Sequence, residues 1–129
     1  MSGPSDYTEN AVLDHLFHSS ESFTKPTSPL VLALFTDSVA DDGTGTELSG
    51  DGYSRQTVVF ATQAAAGAIA NTAQVQFTAS GGDWGTIVSV GVYDNAANFL
   101  WGGDLAASRV VNDGDTLTFD VGDITLQLT

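Results

Sequence analysis

Two histidines, several clustered carboxylates and two tryptophans are the side chains of this 129-residue chain with the chemistry to build a site. His15 and His18 stand at i and i+3, a spacing that on a helix brings two imidazoles toward one metal. No third ligand is set by the pattern, so surface or packing histidines are the simpler reading. Asp41-Asp42 with Glu47, and Asp113-Gly114-Asp115, are oxygen-rich stretches of the kind that hold Ca²⁺ or another cation. Neither follows the Asp-x-Asp-x-Asp-Gly pattern with a glutamate closing the loop. Turn formation is the expected role of Asp41, Asp42, Asp113 and Asp115, and no cofactor is assigned. Trp84, set in a turn between glycines, is a candidate for surface recognition, because an exposed indole stacks on a sugar ring. Trp101 follows Phe99 on an alternating stretch and is expected to fill a core.

Catalysis has little to stand on. Carboxylate pairs are plentiful, but nothing marks one as buried with a raised pKa beside an ionised neighbour. There is no Gly-x-Ser-x-Gly elbow and no phosphate-cradling loop ending in lysine. The absence of cysteine removes disulfides, thiolate metal sites and thiol nucleophiles. The expectation is a protein that is not an enzyme.

Charge narrows the partners. Lys25, Arg55 and Arg109 face 16 acids, for a net charge of −13. Such a surface repels phosphate, so nucleic acid and anionic membranes are excluded as expected partners. Thirteen of the acids are aspartates and lysine appears once, a balance that suggests a halophilic setting in which salt screens the self-repulsion. The longest apolar run, residues 30–35, is about a third of the ~20 residues that cross a bilayer. The first residues lack the basic and apolar regions of a signal peptide, which predicts a chain made in a host cytoplasm and kept soluble.

The elements that would carry these residues fall into two parts. Residues 1–29 read as a helix and arm, and residues 30–129 as a β-domain. Ser5 or Thr8 can cap a helix over about residues 8–18, with Asp6 and Glu9 near its positive end. Val12, Leu13, Leu16 and Phe17 make one apolar stripe on that helix and are candidates for docking onto a partner. A polar stretch over residues 18–22 and the prolines Pro26 and Pro29 lead onward. From residue 30 the pattern is β: a continuous apolar run at 30–36, then an acidic glycine-rich loop at 37–52. Shorter runs follow at 53–60, 73–79, 86–93, 99–105, 109–111, 116–121 and 124–128, separated by Gly/Asp/Asn turns. Residues 61–72 fit a loop, an irregular strand or a helical turn. Val88, Val90 and Val92 are expected on one face of their strand, and Phe99, Trp101 and Leu105 on one face of theirs. Ile124, Leu126 and Leu128 are expected to point inward. About eight strands at this spacing predict an all-β antiparallel β-sandwich or jelly roll with a short N-terminal helix.

The stretches Tyr7-Thr8-Glu9-Asn10-Ala11-Val12-Leu13-Asp14-His15-Leu16-Phe17, Leu34-Phe35-Thr36 and Glu47-Leu48-Ser49-Gly50-Asp51-Gly52-Tyr53-Ser54-Arg55 resemble a family of short tailed-phage, or archaeal tailed-virus, virion structural proteins commonly labelled tail-fibre-like. Asp83-Trp84-Gly85-Thr86, Leu100-Trp101-Gly102 and Asn112-Asp113-Gly114-Asp115-Thr116-Leu117-Thr118-Phe119 continue the likeness in order. The resemblance implies a virion component that contacts major capsid or tail proteins. A chain of this length has little room for a fibre shaft, so a capsid decoration, turret or tail-attached subunit is expected, assembling as a homo-trimer or homo-pentamer. A receptor- or glycan-binding module of a tail fibre is the alternative.

Overall fold

The computed structural model describes residues 3–19 and 25–128. Among the described residues, nine strands and one helix follow in chain order: β1 (Gly3–Pro4), α1 (Asp6–Phe17), β2 (Val31–Phe35), β3 (Gln56–Thr57), β4 (Ala68–Ala70), β5 (Val75–Thr78), β6 (Gly85–Tyr93), β7 (Phe99–Val111), β8 (Thr116–Phe119) and β9 (Thr125–Gln127). One layer is a five-stranded antiparallel sheet in the order β1-β7-β6-β2-β3, and the other is made of two pairs, β4-β9 and β5-β8. The fold is an all-β antiparallel sandwich with a short N-terminal helix. Part of the polar arm expected after α1, residues 20–24, lies outside the described residues.

The run at residues 30–35 is continuous because β2 is covered on both faces. Leu32 and Leu34 enter the main core between the layers, with Val75, Phe77, Val90, Val92, Trp101 and Ile124. Ala33 and Phe35 point the other way, into a smaller cluster with Tyr93 and, less buried, Val39 and Phe99. Val39, Gly43 and Gly45 of the 37–52 loop close over this second cluster and Leu48 packs on the main core, so the acidic loop is part of the packed structure.

Two strand faces differ from expectation because of bulges. On β6 the pairing skips between Ile87 and Ser89, so Val88 falls out of step and Ile87 joins Val90 and Val92 in the main core. On β7 the pairs Tyr93↔Phe99 and Val92↔Trp101 leave Leu100 as an extra residue, which puts Phe99 on the opposite face from Trp101 and Leu105. Phe99 then lies across the facing pair Gly91↔Gly102. A Cβ on Gly102 would stand 2.6 Å from Phe99 Cζ, and one on Gly91 2.8 Å from Phe99 Cε1, so the two glycines form the trough that admits the ring.

Other boundaries move too. The runs at 99–105 and 109–111 are one strand, β7, with an irregular stretch between Asp104 and Arg109. The run at 53–60 shrinks to β3 and a bridge at Phe60. The ambiguous stretch turns tightly at Ala66 (φ 53°) and Gly67 (φ 76°) before β4, a type I′ shape with paired hydrogen bonds between Ala65 and Ala68. Leu128, expected inward, is 61 % exposed.

One polar residue ties the smaller layer together. Asn71 is 1 % exposed; its Nδ2 donates to the carbonyls of Ala73 and Asp120, both at 3.0 Å, and its Oδ1 accepts from Gly122 N and Ile124 N. Every polar atom of this buried amide is used, as such burial requires.

Candidate docking site

The helix is rooted at its start and open along its length. Ser5, of the two candidate caps, is the one used: its Oγ accepts from Thr8 N at 3.2 Å and donates to Phe99 O at 2.5 Å, so α1 begins earlier than expected. Ser5 N and Thr8 Oγ1 both donate to Leu100 O, at 2.9 and 2.7 Å. These acceptors lie at the β7 bulge, and β1 adds the pairs Gly3↔Gly102 and Pro4↔Trp101 along the same strand. The N-terminal segment is therefore stitched into the sheet edge.

Beyond that root, α1 buries no residue. Val12 is half-buried, while Leu13, Leu16 and Phe17 are 55, 63 and 79 % exposed. Three large apolar side chains open to water on one helix are the kind of patch that marks a contact surface. A groove of about 360 Å³ runs beside the helix, bordered by Pro4, Val12 and Leu13 on one side and by Gln127 and Leu128 on the other.

The polar candidates sit elsewhere and have other work. Glu47 accepts from Arg55 Nε at 2.9 Å, from Arg55 Nη2 at 2.8 Å and from Tyr53 Oη at 2.6 Å. Tyr53 Oη in turn accepts from Leu34 N, and the Arg55 guanidinium lies 3.9 Å over the Tyr93 ring. Burial pushes the Glu47 carboxyl up, but hydrogen bonds from Arg55 and Tyr53 and the charge of Arg55 outweigh it and hold the group below its ordinary value. Burial and then the Glu47 hydrogen bond push the Tyr53 phenol up. Asp42 Oδ1 accepts from Thr44 N, and Asp113 Oδ1 and Asp115 Oδ2 accept from Gly81 N and Asn112 N. Asp42 and Asp115 brace their own turns, and Asp113 ties the turn at Gly81 to the one at 112–115.

Among the described residues, Asp41, Asp42 and Glu47 do not come together as a ligand group. Asp41 instead joins Asp6 and Glu9, with carboxylate oxygens within 4.8 Å of one another. No local pattern announced this trio, since Asp6 and Glu9 are on α1 and Asp41 is 32 residues further along, brought in by Asp6 N donating to Asp41 O. His15 on α1 and His18, the residue that caps its C-terminus, are exposed and join no such group among the described residues.

Trp84 is corrected outright. It is 6 % exposed, packs edge-on to Tyr53, and donates through Nε1 to Asp51 O at 2.9 Å, so its indole belongs to the core and offers no face to a sugar. Trp101 is buried as expected.

The chain is thus an acidic antiparallel sandwich whose candidate acids mostly brace turns and loops, with an apolar helix face left open. The family model of the Podophage GP4 fiber I protein gp80 matches residues 3–127. The chain belongs to that family. It is a tailed-phage fibre-type virion protein, so the fibre label that chain length seemed to disfavour is the family's own description. No curated protein matches the chain.

Proposed function

We propose that the chain is a tail-attached structural subunit of the virion whose helix α1 docks onto neighbouring virion proteins while the sandwich faces outward. The observation that carries this is the pairing of a firmly rooted helix start with the exposed Leu13, Leu16 and Phe17. A helix held this way brings pre-formed backbone and apolar area to a junction, which lowers the ordering cost of binding. Its work is mechanical, with no catalysis, and copies assemble with the local symmetry of their site, as a trimer or a pentamer. The surplus of short acids suits a saline host environment. Imaging of intact particles tests this. The expected result is density for the sandwich projecting from the tail with α1 at the contact; a sandwich buried with α1 facing solvent contradicts it.

One observation favours a second reading, that of receptor or glycan binding. An open cleft of about 440 Å³ is lined by Asp6, Tyr7, Asp41, Asp42, Tyr93 and Asn98, which combines ring edges with hydrogen-bonding groups. Glycan-array binding that is lost in Tyr7→Ala supports it, and silence on the array removes it.

A further inference from the structure

The exposed part of α1 continues onto the C-terminal strand. Leu128 forms a ridge between the helix-side groove and a second apolar depression of about 180 Å³ lined by Ala64, Ile69, Trp101 and Leu126. Trp101 contributes to the wall of that depression and its buried Nε1–H has no acceptor among the described residues. The apolar surface is thus composite, joining α1, the end of β9 and the hairpin before β4.

The rim of this surface is acidic. Glu9 lines the groove, and beyond it stand Asp6 and Asp41, three carboxylates in mutual repulsion. The chain has few bases to offer in return: three lysines and arginines against 16 acids, with Arg55 already held by Glu47. A second copy would bring the same acidic rim to this one at a net charge of −13 each, and an anionic bilayer would be repelled in the same way. Complementarity calls for the opposite sign.

We propose that this composite face receives a protein partner presenting an apolar ridge flanked by lysine and arginine, with Leu128 as a central contact and Glu9 reading the basic flank. The inference rests on the docking role of α1 and adds both the C-terminal half of the surface and the charge of what covers it.

The test uses the full chain added to phage particles prepared without this subunit, with bound copies counted at low and high salt. Leu128→Ser and Leu13→Ser each remove apolar area at an exposed position, and unchanged melting temperatures show that the fold is intact. Each is expected to weaken binding by roughly tenfold or more. Wild-type binding is expected to weaken as salt rises, and Glu9→Lys to lose most of that salt dependence. If Leu13→Ser abolishes binding and Leu128→Ser leaves it unchanged, the helix docks but the composite face is wrong. If neither matters, the docking role of α1 falls as well. If binding strengthens with salt, or the free chain self-associates through Leu128, the basic partner is wrong.

Discussion

The loop at residues 37–52 and helix α1 both lie outside the sandwich core, both are acidic, and they are finished in opposite ways. The loop is sealed inward: Val39 packs on Phe35 and Tyr93, Ser89 Oγ donates to Asp37 O at 2.6 Å, and Glu47 is clamped by Arg55 and Tyr53. The helix is sealed only at its first turn and leaves its apolar side chains in water. Polar groups that find their partners within the chain are architecture. Apolar groups that find none are the part of the surface left for something else.

Substitutions can break this contrast, beginning with the interior. Asn71→Ala takes the side-chain partner from Ile124 N and from Ala73 O, while Gly122 N keeps Asn71 O and Asp120 O keeps Asp123 N, and it is expected to destabilise by about 3 kcal/mol in denaturant unfolding. No change at the helix surface should approach this.

Next is the loop clamp. Arg55→Ala leaves Glu47 half-enclosed without its cation and uncovers Tyr93, which is expected to cost about 2 kcal/mol at neutral pH. Because the folded-state pKa of Glu47 is depressed, its stabilising contribution is present above the unfolded value of about 4.3 and is lost as pH falls through the folded one. The difference between wild type and Arg55→Ala should therefore shrink on acidification; a difference that grows toward low pH would contradict the clamp.

Ser5→Ala removes the helix cap and its tie to Phe99 O. It is expected to cost about 1 kcal/mol, felt locally. Amide exchange should speed up in α1 while β2 and β6 keep their protection, and equal acceleration everywhere would mean that the helix is no separate unit. Smallest is Ala66→Asn in the type I′ turn, where a residue tolerant of φ 53° replaces alanine, with a gain of about 0.5 kcal/mol in thermal melting.

Much of the fold was legible in the residues. Alternation and turn chemistry placed most strands, and the two-faced apolar run of β2 read as a buried strand. What escaped was set by pairing partners rather than by local pattern. The bulges at Val88 and Leu100 switch faces in a way that alternation cannot show, and they moved Ile87 into the main core and Phe99 out of it. The Asp6–Glu9–Asp41 trio depends on where the 37–52 loop folds back. Trp84 looked exposed because glycines surround it, yet its indole is buried and its N–H donates to the Asp51 carbonyl across the sandwich. The helix stripe at Val12, Leu13, Leu16 and Phe17 was readable directly, but its extension to Leu128 was hidden, since β9 was expected to turn that leucine inward.

Removing residues 1–29 would also remove β1 from the sheet edge, so point substitutions on α1 are the sharper test of docking. The decisive measurement is the occupancy of phage particles by a Leu16→Ser/Phe17→Ser double variant with an unchanged melting temperature. The account predicts that occupancy falls well below that of the wild type; full occupancy would contradict it.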